Sequence, residues 1–68
     1  MSAHIEALAQ AATRAAQQGQ WQDAERLWAQ VRAQQPQHPQ ALHGLGMQAF
    51  RRGALDEALA LLQQAHRA

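Results

Sequence analysis

Gly53-Ala54-Leu55-Asp56-Glu57-Ala58 decides the fold, because 34 positions earlier the chain reads Gly19-Gln20-Trp21-Gln22-Asp23-Ala24. The same shift carries Leu8 onto Leu42, Ala15 onto Ala49, Trp21 onto Leu55, Leu27 onto Leu61, Trp28 onto Leu62 and Val31 onto Ala65. Small positions stay small and bulky positions stay apolar, which is the signature of a repeated supersecondary unit rather than of low-complexity sequence. Ala, Leu, Gln, Arg and Glu, all good helix formers, make up most of the chain, with Ile5, Thr13 and Val31 the only β-branched residues. No stretch alternates apolar and polar residues as a strand would. Gly19 and Gly53 each interrupt an amphipathic segment and are followed by a fresh one, and Pro36 and Pro39 break the pattern once more between them. The fold class expected is all-α, with four helices at about 3–18, 21–34, 40–52 and 55–67.

Length and composition limit what such a unit can do. A chain of 68 residues is one small domain, and at about 60 residues folding buries only about 60% of the unfolded chain's surface. Without cysteine, neither a disulfide nor a thiolate metal site can supplement the core. Six arginines stand against five acids, spread from Arg14 to Arg67 instead of gathered in a strip, so no nucleic-acid partner is expected despite a pI near 9.2. No segment has the length of a signal-peptide core or a membrane span. The expectation is a soluble, cytoplasmic protein with no membrane partner.

The 34-residue helix–turn–helix unit, with Leu42-His43-Gly44-Leu45-Gly46 leading to Gly53-Ala54-Leu55-Asp56-Glu57-Ala58, resembles the tetratricopeptide repeat family. The first copy contributes Gly19, Ala24, Trp28 and a closing Pro36, and departs by carrying Ala11-Ala12 where the family has Leu-Gly. The resemblance runs from about Ile5 to the C-terminus and implies two antiparallel hairpins stacked as a right-handed solenoid, repeat one at about 5–38 and a truncated repeat two at about 39–68. It also implies a protein-binding scaffold whose concave face is lined by the first helix of each hairpin. Those positions are Glu6, Ala9, Gln10, Thr13 and Gln17, then Gln40, His43, Gly44, Met47, Phe50 and Arg51. One subclass of the family grips an acidic C-terminal carboxylate; where it would carry Lys, Asn and Asn, this chain has Ala9, Thr13 and Gly44, so chaperone tails are not expected as partners.

Packing chemistry supports the same arrangement. Ala24 and Ala58 sit near the start of the second helix of each hairpin, where a small side chain lets helices approach to about 8–10 Å. Arg51 and Arg52 precede Gly53, placing cations and a left-handed turn at one helix end. Asp23, Glu25, Asp56 and Glu57 lie where a helix N-terminus favours negative charge. Pro39 fits a first helical turn and Pro36 stops the preceding helix. Trp21 and Trp28, seven apart and in line with Ala24 and Val31, are expected in the core. Phe50 serves either the groove or packing. Gly44 has no evident packing reason in a helix interior, where glycine costs about 1 kcal/mol against alanine; either it admits a ligand backbone or it reflects drift.

The last helix carries Leu55, Leu59, Leu61 and Leu62, which cannot all face one partner helix, and Leu59 stands where the first hairpin has Glu25. Repeat arrays close with polar faces, so an apolar face at Leu55, Leu59 and Leu62 is expected to be covered by a second copy, making a homo-oligomer, or by the remainder of a longer chain. Such leading repeats resemble those of some bacterial dioxygenases, glycosyltransferases and sulfotransferases, which would make this chain the N-terminal part of a larger protein.

Enzymatic chemistry finds no support. His4, His38, His43 and His66 include no pair three or four apart, as a helical metal site requires. Asp56 and Glu57 are adjacent, so their carboxylates diverge. Ser2 is the sole serine, and the glycines form no phosphate-cradling loop between strand and helix. The expectation is no catalytic residue, no metal and no cofactor.

Overall fold

The computed structural model describes residues 2–67; Met1 and Ala68, the expected domain limits, lie outside the described residues. Four helices follow one another: α1 (Ser2–Gln17), α2 (Trp21–Gln34), α3 (Pro39–Arg52) and α4 (Leu55–Arg67). The expected boundaries hold to within one residue. α1 packs on α2 and α3 on α4 as two hairpins, and α2 packs on α3 to join them, with a slight contact between α1 and α3.

Both hairpin turns are the same device. Gly19 and Gly53 have φ of +77° and +84°, a region open to glycine at little steric cost. At the first turn the Gln20 amide donates to the Ala15 carbonyl (2.8 Å) and Gly19 to Ala16 (3.1 Å). At the second, Ala54 donates to Ala49 (2.9 Å) and Gly53 to Phe50 (3.0 Å). This paired closure satisfies the helix-end carbonyls and reverses the chain. The 34-residue period is therefore visible bond for bond.

The connection between hairpins is built differently. Pro39 opens α3, and His38 before it accepts, through Nδ1, a hydrogen bond from the Ala41 amide at 3.4 Å. That cap was not anticipated from the sequence, since histidine is not among the common capping residues.

The core is made largely of small residues. Ala9, Ala12, Ala15, Ala24, Ala41, Ala49 and Ala58 are buried, together with Ile5, Trp28, Val31, Leu42 and Leu61. Helices can then approach closely, so backbone and Cβ atoms fill the space that long side chains fill elsewhere. The molecule measures 32 × 27 × 15 Å, thin enough that every helix keeps a solvent-facing side. Ala24 and Ala58 are 0% and 2% exposed, the close-packing positions expected of them.

Two side chains depart from expectation. Trp28 is buried, but Trp21 is only half-buried. Trp21 is the first residue of α2 and projects at the edge of the seam with α3, where the Arg51 guanidinium covers its ring at 3.9 Å from the centroid. Gln48, unremarked in the sequence, is buried and donates through Nε2 to the Trp21 carbonyl at 3.3 Å. It links the hairpins with a buried polar contact.

Candidate functional site

Of the residues expected to line a concave face, three border one groove. Thr13 from α1 and Gln40 and His43 from α3 border an open groove of about 660 Å³, whose other walls are Trp28, Pro39, Leu62, Ala65 and His66. Thr13 is half-buried and its Oγ1 donates to the Ala9 carbonyl at 2.9 Å, which orients its methyl and hydroxyl and leaves less of it for a ligand. Gln40 and His43 are exposed. Further along α3, Met47 and Phe50 are 46% and 59% exposed. His43, Met47 and Phe50 fall at i, i+4 and i+7, so they share one side of the helix. The packing explanation for Phe50 is not what its exposure supports.

Other expected groove residues are placed elsewhere. Ala9 is 2% exposed and belongs to the core, a correction to its assignment as a groove position. Glu6, Gln10 and Gln17 are exposed on α1 and do not border the groove. Arg51 is committed to the face of Trp21, where a cation is attracted to the ring quadrupole.

Gly44 requires the largest correction. It is half-buried, and a Cβ built on it would lie 2.4 Å from Trp28 Nε1, 2.5 Å from Cε2 and 3.0 Å from Cδ1. The absence of a side chain is what admits the indole, so neither a ligand backbone nor drift is needed to explain the glycine. Gly46 does the same inside the second hairpin, where a Cβ would meet Leu62 Cδ2 and Cγ at 2.9 Å. Trp28 was thus a groove wall missed by sequence reasoning, because its spacing identified only a core stripe. The available signal was the pairing of an oversized residue on α2 with a glycine in the interior of α3.

Electrostatics at this end of the molecule are modest. Arg52 bonds Glu57 at 2.9 Å and approaches Glu25 at 4.0 Å, tying α2, α3 and α4, but these side chains are about half exposed and water screens such pairs. Arg26 and Asp23 pair within α2 in a still more exposed setting.

On the last helix, Leu55 and Leu59 are 57% and 56% exposed, and Leu62 is half-buried against Gly46. Leu61 turns inward and is buried. Among the described residues, no helix is long and apolar enough to cross a membrane.

No curated protein and no solved structure gives a significant match to the chain. The family model described as tetratricopeptide repeat matches residues 15–68, beginning just after the Ala11-Ala12 pair at which the first hairpin departs from the family pattern. Tetratricopeptide repeats generally mediate protein–protein interaction, and the family is typically a scaffold without catalytic activity. With four helices in two hairpins, closed by matching glycine turns 34 residues apart, and a match over most of its length, this chain belongs to the tetratricopeptide repeat family.

Proposed function

We propose that the chain is an interaction scaffold of two repeats, at about 5–38 and 39–68, that holds a peptide or protein segment along the groove side of α3. The observation that carries this is the open groove of about 660 Å³ bordered by Thr13, Gln40 and His43, continued along α3 by exposed Met47 and Phe50. Exposed Met and Phe on one helix side, next to a groove with histidine and amide at its rim, offer apolar anchorage with polar orientation. A segment bearing one or two apolar side chains and free backbone amides fits that chemistry.

Selection of random linear peptides displayed on phage, followed by anisotropy titration of the recovered sequences, tests the proposal. Phe50→Glu and Met47→Glu, checked by circular dichroism for retained helix, should each weaken binding by about tenfold or more, and Gln22→Glu should leave it unchanged. Recovery of peptides indifferent to both α3 substitutions would overturn the groove assignment.

A second reading is favoured by a separate observation, the exposure of Leu55 and Leu59 on α4. This helix side, completed by Leu62, is proposed as a docking surface, either for self-association or for contact with another protein segment.

A further inference from the structure

The indole nitrogen of Trp28 is a donor left open within an almost wholly buried side chain. Trp28 is 4% exposed, and its Nε1–H donates to no group among the described residues. No fully buried side-chain nitrogen or oxygen among those residues lacks a partner, so Nε1 lies at a surface. That surface is the groove, of which Trp28 is a wall. Nε1 is also the ring atom nearest the place a Gly44 Cβ would take. Gln40, one turn earlier on the same side of α3, is another wall. Buried indole N–H groups ordinarily have a partner, and an oxygen brought into the groove would supply one.

Thr13 supplies the opposite half of a hydrogen-bonding pair. Its Oγ1 donates to the Ala9 carbonyl at 2.9 Å, so the hydroxyl proton is spent and only lone pairs are left for the groove. The same groove is walled by Pro39, Leu62 and Ala65, apolar surface against which each hydrogen bond gains strength.

Resting on the groove reading above, we infer that Trp28 Nε1–H and Thr13 Oγ1 recognise an amide group of the bound segment. Its carbonyl oxygen accepts from the indole and its N–H donates to the hydroxyl. A carboxylate could accept from the indole but would meet Thr13 lone pair against lone pair, and the apolar walls would strip it of water. Gly44 belongs to the device, because its missing side chain is what lets a residue of α2 reach the groove across α3. Selectivity then comes from the second helix of the first hairpin as well as from α1 and α3.

The test follows the indole N–H signals of Trp21 and Trp28 by NMR in the isotope-labelled chain, assigned with Trp21→Phe. The probes are N-isobutylacetamide, isobutyl acetate, sodium isovalerate and isovaleramide: a main-chain type amide, its ester, a carboxylate and a side-chain type carboxamide. N-isobutylacetamide should move the Trp28 signal downfield to saturation and leave that of Trp21 in place. It should bind at least about threefold more tightly than the ester or the carboxylate, the effect of one neutral hydrogen bond. Thr13→Val should erase its advantage over the ester, and Thr13→Ser should keep it, as expected for groups that interact directly. The tighter of the two amides identifies main chain or side chain as the source of the group. Isovalerate binding as tightly as the amides would overturn the assignment. A Trp28 signal that stays fixed while those of Gln40 and His43 move would overturn the donor and leave the groove standing. If no groove signal moves with any probe, the inference falls, and the displayed peptides still decide the groove separately.

Discussion

Gly44→Ala puts two opposing effects of known size at one residue. Replacing an interior helix glycine with alanine stabilises the helix by about 1 kcal/mol through backbone entropy. Against this, the new Cβ would lie 2.4 and 2.5 Å from two atoms of the Trp28 indole, well inside van der Waals contact. An indole is rigid, so the whole ring must pivot or α3 must retreat from α2, and overpacking of this kind costs about 1–3 kcal/mol. Because Trp28 borders the open groove, the ring has one direction in which to yield, which keeps the cost from the upper end of that range. The net effect expected is a loss of about 1 kcal/mol, out of a total of about 3–10 kcal/mol for a domain of this size. With a urea slope near 1 kcal/mol/M, the midpoint should fall by about 1 M, followed by far-UV circular dichroism. In a Trp28→Leu background, with the residue that the second hairpin carries at the equivalent place, Gly44→Ala should become neutral or stabilising. A coupling of about 1 kcal/mol or more between the two sites is expected for groups in contact. A rise in midpoint for Gly44→Ala in the unaltered chain would refute the reasoning, because it would mean that the indole does not occupy the space above Gly44.

Gly19→Ala and Gly53→Ala should each destabilise by about 1–2 kcal/mol in thermal or urea melts, since both glycines have positive φ with nothing within 4 Å and the cost is conformational alone; clearly unequal losses would contradict the equivalence of the two turns. Trp28→Ala should cost about 3–5 kcal/mol and leave little folded protein at 25 °C by circular dichroism, whereas Trp21→Ala, at a half-exposed site, should leave a cooperative melt. Gln48→Ala should cost about 1 kcal/mol by removing its bond to the Trp21 carbonyl, measured by urea titration. Arg26→Ala should change stability by less than about 0.5 kcal/mol, because both it and its partner Asp23 are more than half exposed; a larger loss would show a role beyond that pair.

Much of the fold was legible because it rests on local and periodic features. The recurrence of Gly19 at Gly53, the small residues at Ala24 and Ala58, and the helix-forming segments between them are properties of the chain read in one dimension, and they determine hairpins of fixed length. The candidate site was less legible, because a concave surface depends on which side chains cross from one helix to another. Trp28 illustrates the difference. Helical spacing correctly puts it inward, but not that its indole reaches Gly44 on the next hairpin and forms a wall of the groove. Arg51 and Trp21, distant in sequence, stack only because the antiparallel seam brings the start of α2 to the end of α3.

By itself, then, the sequence determined four helices, two glycine turns and a 34-residue period, since backbone propensity and hydrophobic spacing act over a few residues at a time. Tertiary structure alone decided that Ala9 is core, that Gly44 makes room for an indole, that Trp21 stays half exposed beneath an arginine, and that Gln48 bridges the hairpins. Each of these depends on the distance between two helices, a quantity set by every side chain along the seam together.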